Sequence, residues 1–275
     1  MASKQDARTK CIFVTGAASG IGRATAQLFA ERGWYVGAHD VDEGGLATLR
    51  AELGAEACLT RRLDVRDKVD YDRTVAEFGE ATQGRMDILF NNAGIGEGGW
   101  FEEVPYEATV RVLEVNLLGV VNGIYAALPL LKATEGSLCF STSSSSATYG
   151  MPRLAMYSAT KFAVKGLTEA LSLEFERHGV RVADVLPGII DTPILDTQLV
   201  ASEADDQVGR IRDAATPDGA FRMMPPRSVA ECVWEAYGSD KLHWYVPEEV
   251  GDIDRLKATG AETLRDIIRQ GLPKG

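Results

Sequence analysis

Short apolar runs alternate along the chain with longer segments in which apolar residues recur every three or four positions. A short apolar run is typical of a buried strand, whereas the longer period is typical of a helix with one apolar face. The runs that predict strands are 11–15, 34–39, 57–64, 87–92, 136–141 and 180–187. The segments that predict helices lie near 20–32, 43–53, 67–83, 105–132 and 156–178.

This alternation of strand and helix predicts a fold class. Parallel strands are joined by right-handed crossovers, and these place helices on both faces of the sheet. No Pro/Gly-rich linker divides the 275 residues, and a chain of this length can bury one large core. We therefore predict a single α/β domain over residues 1–275, built as a doubly wound parallel sheet.

The stretch from about 189 to 226 interrupts the alternation. It is long, polar and irregular, and loops of such length inside a compact domain are usually functional or mobile. We predict that it forms a partly helical lid whose apolar side closes on a substrate, with a surface insertion of no consequence as the alternative. The apolar residues of this lid are Ile194, Leu195, Leu199, Ile211, Phe221, Met223 and Met224, and its acidic cluster is Glu203, Asp205 and Asp206.

Composition and charge narrow the possible partners and locations. The net charge of −11 argues against a nucleic-acid or anionic-membrane partner, because either needs a basic face. The polar N-terminus is followed by an apolar run too short for a secretory signal or a membrane span. The cysteines lack CxxC spacing and the histidines are scattered, so we expect free thiols, no metal site and a cytoplasmic protein. These residues are Cys11, Cys58, Cys139, Cys232, His39, His178 and His243.

A glycine-rich turn follows the first predicted strand and opens the first predicted helix. Residues 15–22 read TGAASGIG, which lacks the lysine of a nucleoside-triphosphate P-loop. Glycines permit a tight turn and let a pyrophosphate approach the N–H groups at a helix N-terminus. A purely structural turn is the alternative, but this position in a βαβ unit favours dinucleotide binding. The residues assigned to it are Gly16, Ser19, Gly20, Ile21 and Gly22.

Asp40 ends the second predicted strand, eighteen residues beyond Gly22. A carboxylate at this place can accept both hydroxyls of an adenosine ribose and would repel a 2′-phosphate. A helix-capping or turn aspartate is the alternative. Because Ser19 and Val41 stand where a phosphate-binding cation would be expected, the sequence favours NAD over NADP.

Tyr157 and Lys161 are four residues apart in a predicted helix, so their side chains share one face. A tyrosine with a pKa near ~10 is not a base at neutral pH, but a neighbouring ammonium, helped by a positive nicotinamide ring, favours phenolate. The pair is therefore suited to proton transfer. The same spacing also arises by chance on helix surfaces, and here the nearby dinucleotide fingerprint argues for function.

Several motifs occur together over residues 10–193. They are TGAASGIG at 15–22, NNAG at 91–94, Asn116 in VNLLG, the serine run STSSSSATYG at 141–150, YSATK at 157–161 and PGIIDT at 187–192. Their order and spacing resemble the short-chain dehydrogenase/reductase family in its shorter single-domain branch. The resemblance implies a Rossmann-type domain and reversible hydride transfer between a nicotinamide cofactor and an alcohol or carbonyl.

The resemblance also implies catalytic roles. It places the catalytic serine thirteen residues before the tyrosine, at Ser144, where its hydroxyl would bond and polarise the substrate oxygen. A loop shift of one residue would give this role to Ser143 or Ser145. Asn116 would hold a water that passes protons to Lys161, whereas a satisfied core amide is the other interpretation.

Further cofactor contacts follow from the same resemblance. Asn91 is expected at the cofactor ribose, and the neighbouring turn is expected to approach the cofactor closely. Asp64 is expected to bond the adenine amino group. The segment after the sixth strand is expected to hold the nicotinamide carboxamide. The remaining residues assigned to the cofactor are Val65, Asn92, Ala93, Gly94, Pro187, Gly188, Ile190 and Thr192, together with Tyr157 and Lys161.

The last part of the chain, residues 243–275, departs from the family pattern. It reads HWYVPEEV followed by a helical sequence, where many relatives end in a strand that helps assemble tetramers. Tetramer assembly is therefore in doubt, and we expect a homodimer formed by the helices at 105–132 and 156–178.

Two other functions remain open at the level of sequence: an NADPH-dependent carbonyl reductase and a catalytically silent NAD-binding regulatory module. The substrate is expected to be a secondary alcohol or ketone of moderate size. Apolar side chains that would line its pocket, or serve only for packing, are Trp100, Phe101, Tyr149, Met151 and Met156.

Overall fold

The structure, a computed structural model, describes residues 9–197 and 210–270. Its strands are β1 (Cys11–Thr15), β2 (Tyr35–Asp40), β3 (Cys58–Arg62), β4 (Ile88–Asn91), β5 (Leu138–Thr142), β6 (Arg181–Pro187), β7 (Ile189–Ile190), β8 (Met223–Met224) and β9 (His243–Val246). Its α-helices are α1 (Gly20–Glu31), α2 (Glu43–Leu53), α3 (Lys68–Ala81), α4 (Tyr106–Leu113), α5 (Gly119–Ala133), α6 (Ala155–Glu174), α7 (Pro226–Tyr237), α8 (Val250–Thr259) and α9 (Ala261–Gln270).

The main sheet is parallel throughout and has the strand order β3-β2-β1-β4-β5-β6-β9. β1 pairs with both β2 and β4, so the chain winds outward in two directions from this point. The crevice at the carboxyl ends of the strands, beside such a switch point, is where doubly wound sheets bind ligands. The topology confirms the predicted fold class.

Two apolar layers cover the two faces of the sheet. On one face, α1, α2 and α7 pack through residues such as Phe29, Leu49 and Val233. On the other face, α3, α5 and α6 pack through residues such as Phe78 and Ile124. All five residues of β1 are buried, as expected for a central strand whose two faces are both covered by helices.

The six predicted strands coincide with β1 to β6 to within two residues at each end. The predicted helix at 105–132 is confirmed but is divided into α4 and α5 by a π-helical turn at Glu114–Leu118. The sequence pattern does not predict α7 or β9. α7 begins at Pro226 directly after Pro225, and this pair resembles a loop although proline is favoured in the first turn of a helix. β9 is an edge strand of only four residues and is mostly half-buried, so its apolar run is shorter than those of the central strands.

Part of the predicted lid can be compared with the structure. Its described residues form short 3-10 turns at Pro193–Asp196, Ile211–Ala214 and Gly219–Phe221. β7 and β8 pair as a small parallel sheet that joins the two ends of the lid. Leu199 and the acidic cluster of Glu203, Asp205 and Asp206 lie outside the described residues.

The segment Tyr106–Ala133 is, by length and composition alone, apolar enough to cross a membrane, with a mean hydropathy of 1.4 over its most apolar window. Core helices of globular domains pass the same test. Here the segment packs against α3 and contributes Val120, Ala127 and Leu131 to the core on that face of the sheet.

His39 is a buried histidine on β2 with no hydrogen-bond partner for either ring nitrogen among the described residues. Its ring stacks on Phe13, with 4.2 Å between ring centroids. Burial lowers the pKa of His39 from 6.5 to about 3, so the folded protein disfavours the imidazolium. Below the unfolded-state pKa of about 6.5, the unfolded chain binds a proton at His39 and the folded protein does not. The folded protein therefore loses stability as the pH falls from about 6.5 toward about 3.

We expect that the free energy of unfolding falls by about 2 kcal/mol between pH 7 and pH 5 because of His39, at about 1.36 kcal/mol per pKa unit. Urea unfolding at the two pH values measures this difference. The variant His39→Leu should show a smaller pH dependence, and His178→Gln, at a partly exposed histidine, should keep most of the wild-type dependence. If the free energy of unfolding fell by the same amount between pH 7 and pH 5 in His39→Leu and in the wild type, the acid sensitivity would belong to another group.

Candidate functional site

A cavity of about 730 Å³ lies at the carboxyl edge of the sheet. Its walls come from the segments that follow β1 to β6, with further residues from α4, the π-helical turn, α6 and the lid. The cavity contains all the residues assigned to cofactor or catalysis from the sequence except Gly22, Asn91 and Asn116. The structure therefore brings together segments that range in sequence from Gly16 to Phe221.

The glycine turn packs so closely that side chains are excluded at two of its positions. Gly16 has a φ of +68°, and a Cβ there would lie 2.9 Å from the Cα of Ala93. Gly22 lies behind the cavity wall, where a Cβ would lie 2.1 Å from the carbonyl oxygen of Gly16. Ser19 precedes α1 and makes no side-chain cap, so the first N–H groups of the helix lack a side-chain acceptor. This is a cradle suited to a phosphate group.

Asn92 ties the ends of β1 and β4 together. Its Nδ2 donates to the carbonyl of Thr15 at 3.0 Å, and its backbone N–H donates to Thr15 Oγ1 at 3.0 Å. Asn91, predicted to lie at the cofactor ribose, instead points into the layer under α3 and accepts from the Tyr71 hydroxyl at 3.3 Å. Adjacent strand residues point to opposite sides, and it is Asn92 that faces the cavity.

Asp40 lies at the wall of the cavity, at the end of β2. Its Oδ2 accepts from the N–H of Ala18 at 3.0 Å and its Oδ1 accepts from the N–H of Asp42 at 3.0 Å. Because these bonds fix the carboxylate to the glycine turn, it is held in place before any ligand binds. Val41 beside it is exposed.

Asp64 and Val65 form the neighbouring wall. Both oxygens of Asp64 accept from the guanidinium of Arg66, at 2.9 Å from Nε to Oδ1 and 2.6 Å from Nη2 to Oδ2. This pairing lowers the pKa of Asp64. Asp64 is therefore already engaged in an ion pair, and an adenine amino group would have to share its acceptor oxygens with Arg66.

Tyr157 and Lys161 lie on the face of α6 that forms the cavity wall. Lys161 is almost fully buried, and its Nζ donates to the carbonyl of Thr142 at 2.8 Å. The same Nζ lies 5.6 Å from the centroid of the Tyr157 ring. Burial lowers the pKa of Lys161 to about 8.

The pKa of Tyr157 departs from its ordinary value in the direction opposite to the sequence-based expectation. Burial raises this pKa, and the contact with the Ser144 hydroxyl partly opposes the rise. Burial outweighs the neighbouring ammonium because the Nζ of Lys161 is turned toward the carbonyl of Thr142.

The serine run shows which hydroxyl faces the cavity centre. Ser143 is buried, and its hydroxyl donates to the carbonyl of Lys161 at 2.9 Å, so it is committed to the backbone of α6. The hydroxyl of Ser144 interacts with the phenol of Tyr157. Ser145 begins a short 3-10 turn and also lines the cavity. The contact with Tyr157 favours Ser144 over its neighbours.

Asn116 is buried beneath the cavity, within the π-helical turn. Its Oδ1 accepts from the N–H of Ile95 at 2.9 Å, and its Nδ2 donates to the carbonyl of Ile95 at 3.0 Å. A Cβ at Gly94 would lie 3.4 Å from this Oδ1 and 3.6 Å from the Nζ of Lys161, so the two side chains converge on Gly94. The amide thus fixes the loop after β4, and π-helical turns are frequent at functional sites.

The segment after β6 closes the remaining wall. Thr192 donates from Oγ1 to the carbonyl of Ile190 at 3.2 Å. Its methyl group packs on the glycine turn, because a Cβ at Gly20 would lie 2.9 Å from Thr192 Cγ2. A Cβ at Gly188 would lie 2.7 Å from the carbonyl oxygen of Ala220, so the lid packs directly on this segment. Pro187 and Ile190 also line the cavity.

Apolar side chains line the part of the cavity that is formed by the loop before α6, the segment after β6 and the lid, here named the apolar end. Of the five pocket residues suggested by the sequence, Met151 lines this cavity, while Trp100, Phe101, Tyr149 and Met156 do not. Phe101 is exposed. The apolar residues that line this end are Met151, Leu154, Ile189, Ile194, Leu195 and Phe221.

Three charged lining residues were not assigned from the sequence: Arg66, Glu97 and Arg111. Arg66 binds Asp64, and Arg111 forms an ion pair with Glu97. The cations of the cavity wall are therefore paired with carboxylates, apart from Lys161, which donates to Thr142. No motif marks these residues, and the pairing of Arg111 with Glu97 depends on how α4 lies beside the loop after β4.

Comparisons with known proteins find a family model, relatives and solved structures that resemble this chain. The family model described as short chain dehydrogenase matches residues 10–202. The putative oxidoreductase SadH of Mycobacterium tuberculosis is 32% identical over 274 residues, covering 96% of each chain. A short-chain dehydrogenase/reductase from Burkholderia phymatum, solved with NAD, has a TM-score of 0.81 and 27% identity, covering 93% of this chain and 95% of that chain. An alcohol dehydrogenase from Thermococcus sibiricus, solved with 5-hydroxy-NADP, has a TM-score of 0.71 and 26% identity, covering 86% of this chain and 94% of that one.

Proposed function

Because the chain belongs to the short-chain dehydrogenase family, we propose that it is an NAD-dependent oxidoreductase that transfers a hydride between the nicotinamide and a secondary alcohol or ketone. The observation that carries this proposal is that Ser144, Tyr157 and the buried Lys161 line one cavity that also contains the glycine turn.

The residues present fit a dinucleotide. The glycine turn and the N-terminus of α1 would hold the pyrophosphate, and Asp40 would accept the adenosine ribose hydroxyls. The segment 187–192 would hold the carboxamide. When bound, the nicotinamide supplies or accepts the hydride.

The chain's own groups would manage the proton. In reduction, Tyr157 would donate its phenolic proton to the carbonyl oxygen, while the Ser144 hydroxyl donates a second hydrogen bond to that oxygen. In oxidation, Tyr157 must accept a proton, which requires its raised pKa to fall. Lys161 has a pKa of about 8 and is charged at neutral pH, so its ammonium would stabilise the phenolate once the two groups approach.

The preference for NAD over NADP rests on Asp40 and on the surrounding cations. A 2′-phosphate would meet the carboxylate of Asp40, while Arg66 and Arg111 are engaged by Asp64 and Glu97. Since structural neighbours were solved with both NAD and an NADP analogue, the family alone does not decide between them. An NADPH-dependent carbonyl reductase would need Arg66 to leave Asp64.

The substrate is expected to be neutral and largely apolar. Apolar side chains surround the reacting end of the cavity, and a charged group there would lose its hydration without a partner. Incubating the protein with NADH and a panel of linear, cyclic and aromatic ketones, and following the loss of NADH absorbance, tests the proposal. We expect turnover of apolar ketones and much slower turnover of keto acids.

We also expect a cytoplasmic homodimer formed through α5 and α6. Leu118 and Tyr125, at and after the π-helical turn, and Leu173 on α6 are large apolar residues that are 52%, 70% and 72% exposed. Such a patch is usual for an interface.

The double variant Tyr125→Glu with Leu173→Glu should place charges in this interface and yield monomers in sedimentation at concentrations where the wild type is dimeric. Val69→Glu, at an apolar residue of α3 that is 78% exposed, is the matched control and should remain dimeric. An unchanged sedimentation coefficient for the double variant would place the interface elsewhere.

A further inference from the structure

The lid returns to the cavity through residues 210–224, here named the return arm. Ala214 and Phe221 of this arm line the apolar end of the cavity. Its position therefore determines the shape that a substrate meets. The contacts that hold the arm against residues 187–192, named the nicotinamide segment, are of two different kinds at its two ends.

The distal end of the return arm is fixed by backbone hydrogen bonding. β8 pairs with β7, in the register Ile189 with Met223 and Ile190 with Met224. The N–H of Asp191 also donates to the carbonyl of Met224 at 2.9 Å. Arg222 adds an ion pair to Glu249, which immediately precedes α8, at 2.7 Å. Side-chain substitutions leave such backbone pairing intact.

The proximal end is held by a side chain. The guanidinium of Arg212 donates from Nη1 to Oδ1 of Asp191 at 2.7 Å and from Nε to Oδ1 of Asp196 at 3.0 Å. A single planar group thus bridges two carboxylates, one of which lies between Ile190 and Thr192 in the nicotinamide segment. This pairing raises the pKa of Arg212 and lowers that of Asp196.

We propose that Arg212 is a positioning residue that locks the return arm onto the nicotinamide segment and so couples the cofactor end of the cavity to its substrate end. The proposal rests on the proposed function in naming residues 187–192 as the nicotinamide segment. When Arg212 releases Asp191 and Asp196, residues 210–221 can move away from the nicotinamide segment, while β8 stays paired with β7. Cofactor that fixes Asp191 also favours the bound position of the arm, and by linkage a closed arm holds the cofactor more tightly.

The geometry sets what a substitution can retain. Lysine keeps the charge of Arg212 but lacks the planar fork that reaches two carboxylates together. Glutamine keeps part of the length and loses the charge. Exposed single ion pairs contribute little to stability, but a guanidinium shared between two carboxylates forms a small network, for which a measurable effect is expected.

Hydrogen exchange of the full-length protein tests the lock, because the return arm contains its own reporters. The amides of Asp213, Ala215 and Thr216 donate within the arm, to Arg210, Arg212 and Phe221. In the absence of NADH, Arg212→Gln should exchange these amides about fivefold faster than the wild type, and Arg212→Lys should be intermediate. Asp196→Asn removes one of the two acceptors from the other side and should also be intermediate.

Arg227→Gln is the matched control. Arg227 also bridges two carboxylates, those of Glu31 and Glu231, at a similarly exposed site between α1 and α7. This variant should leave exchange in the return arm unchanged. Raising the ionic strength should speed exchange of the arm more in the wild type than in Arg212→Gln, since the variant keeps only the ion pairs of Arg210 with Asp196 and of Arg222 with Glu249.

NADH then separates this proposal from the proposed function. Addition of NADH should slow exchange in the wild-type arm further and should not do so in Arg212→Gln, although the variant still binds NADH through the glycine turn. Exchange rates for Arg212→Gln within twofold of the wild type without NADH would overturn the lock. Failure of the wild type to bind NADH in a fluorescence titration would instead contradict the proposed function, while the comparison without NADH would still decide whether the lock exists.

Discussion

Tyr157→Phe should bind NADH as tightly as the wild type and lose turnover by about 10³-fold, because it removes only the group that moves the proton. The ring that packs beside Lys161 is retained, so fold and cavity shape are preserved. Initial rates with the best ketone of the panel, at saturating NADH, measure the loss.

Two serine variants, measured in the same assay, are compared with Tyr157→Phe. Ser143→Ala removes a hydroxyl that is bonded to the α6 backbone and is not in contact with Tyr157, so its effect on turnover should be small. Ser144→Ala should lower turnover by about 10²-fold, since it removes one hydrogen bond to the developing charge. If Tyr157→Phe kept turnover within tenfold of the wild type, the proton-transfer role would belong to another residue.

Asp40→Ser should change cofactor preference by about a hundredfold in favour of NADP. The substitution removes a charged acceptor of the ribose hydroxyls, for which about tenfold in NAD affinity is expected, and it removes the repulsion of a 2′-phosphate. Fluorescence titrations with NADH and NADPH give the two dissociation constants.

Asp40 also accepts hydrogen bonds from Ala18 and Asp42, so the effect of charge must be separated from that of the turn. Asp40→Asn retains the size of the side chain and loses its charge, and it should move the preference in the same direction. Asp42→Asn, at the adjacent carboxylate that caps α2, should leave the preference unchanged. A ratio that is unchanged in Asp40→Ser would make Asp40 a turn residue.

The order of the elements could be predicted from the sequence because buried parallel strands are continuous apolar runs and the intervening helices have one apolar face. The same regularity placed Asp40 at a strand end and put Tyr157 and Lys161 on one helix face. Each of these positions depends only on local periodicity.

Local periodicity does not determine which of two adjacent side chains faces the cavity. Asn91 and Asn92 are adjacent, and which of them faces the cavity depends on where β4 ends. Ser143 and Ser144 likewise differ by one position, and it is the hydrogen bond of Ser143 to α6 that turns its hydroxyl away. In both pairs a shift of one residue exchanges the roles.

Contacts between segments that are distant in sequence could not be predicted either. The bridge from Arg212 to Asp191 and Asp196 spans the lid, and the pairing of Arg111 with Glu97 joins α4 to the loop after β4. The lowered pKa of Lys161 and the raised pKa of Tyr157 follow from burial, which local pattern does not determine for a polar side chain in a loop-lined cavity.

Deuterium transfer from NADH labelled at the nicotinamide carbon tests the central claim most directly. The purified protein is incubated with each labelled epimer of NADH and the ketone panel, and the alcohol products are analysed by mass spectrometry beside Tyr157→Phe. We expect deuterium from one epimer at the carbinol carbon of an apolar product, with transfer nearly abolished in Tyr157→Phe. Binding of NADH without transfer to any ketone of the panel, or transfer that is equal in Tyr157→Phe, would contradict the account.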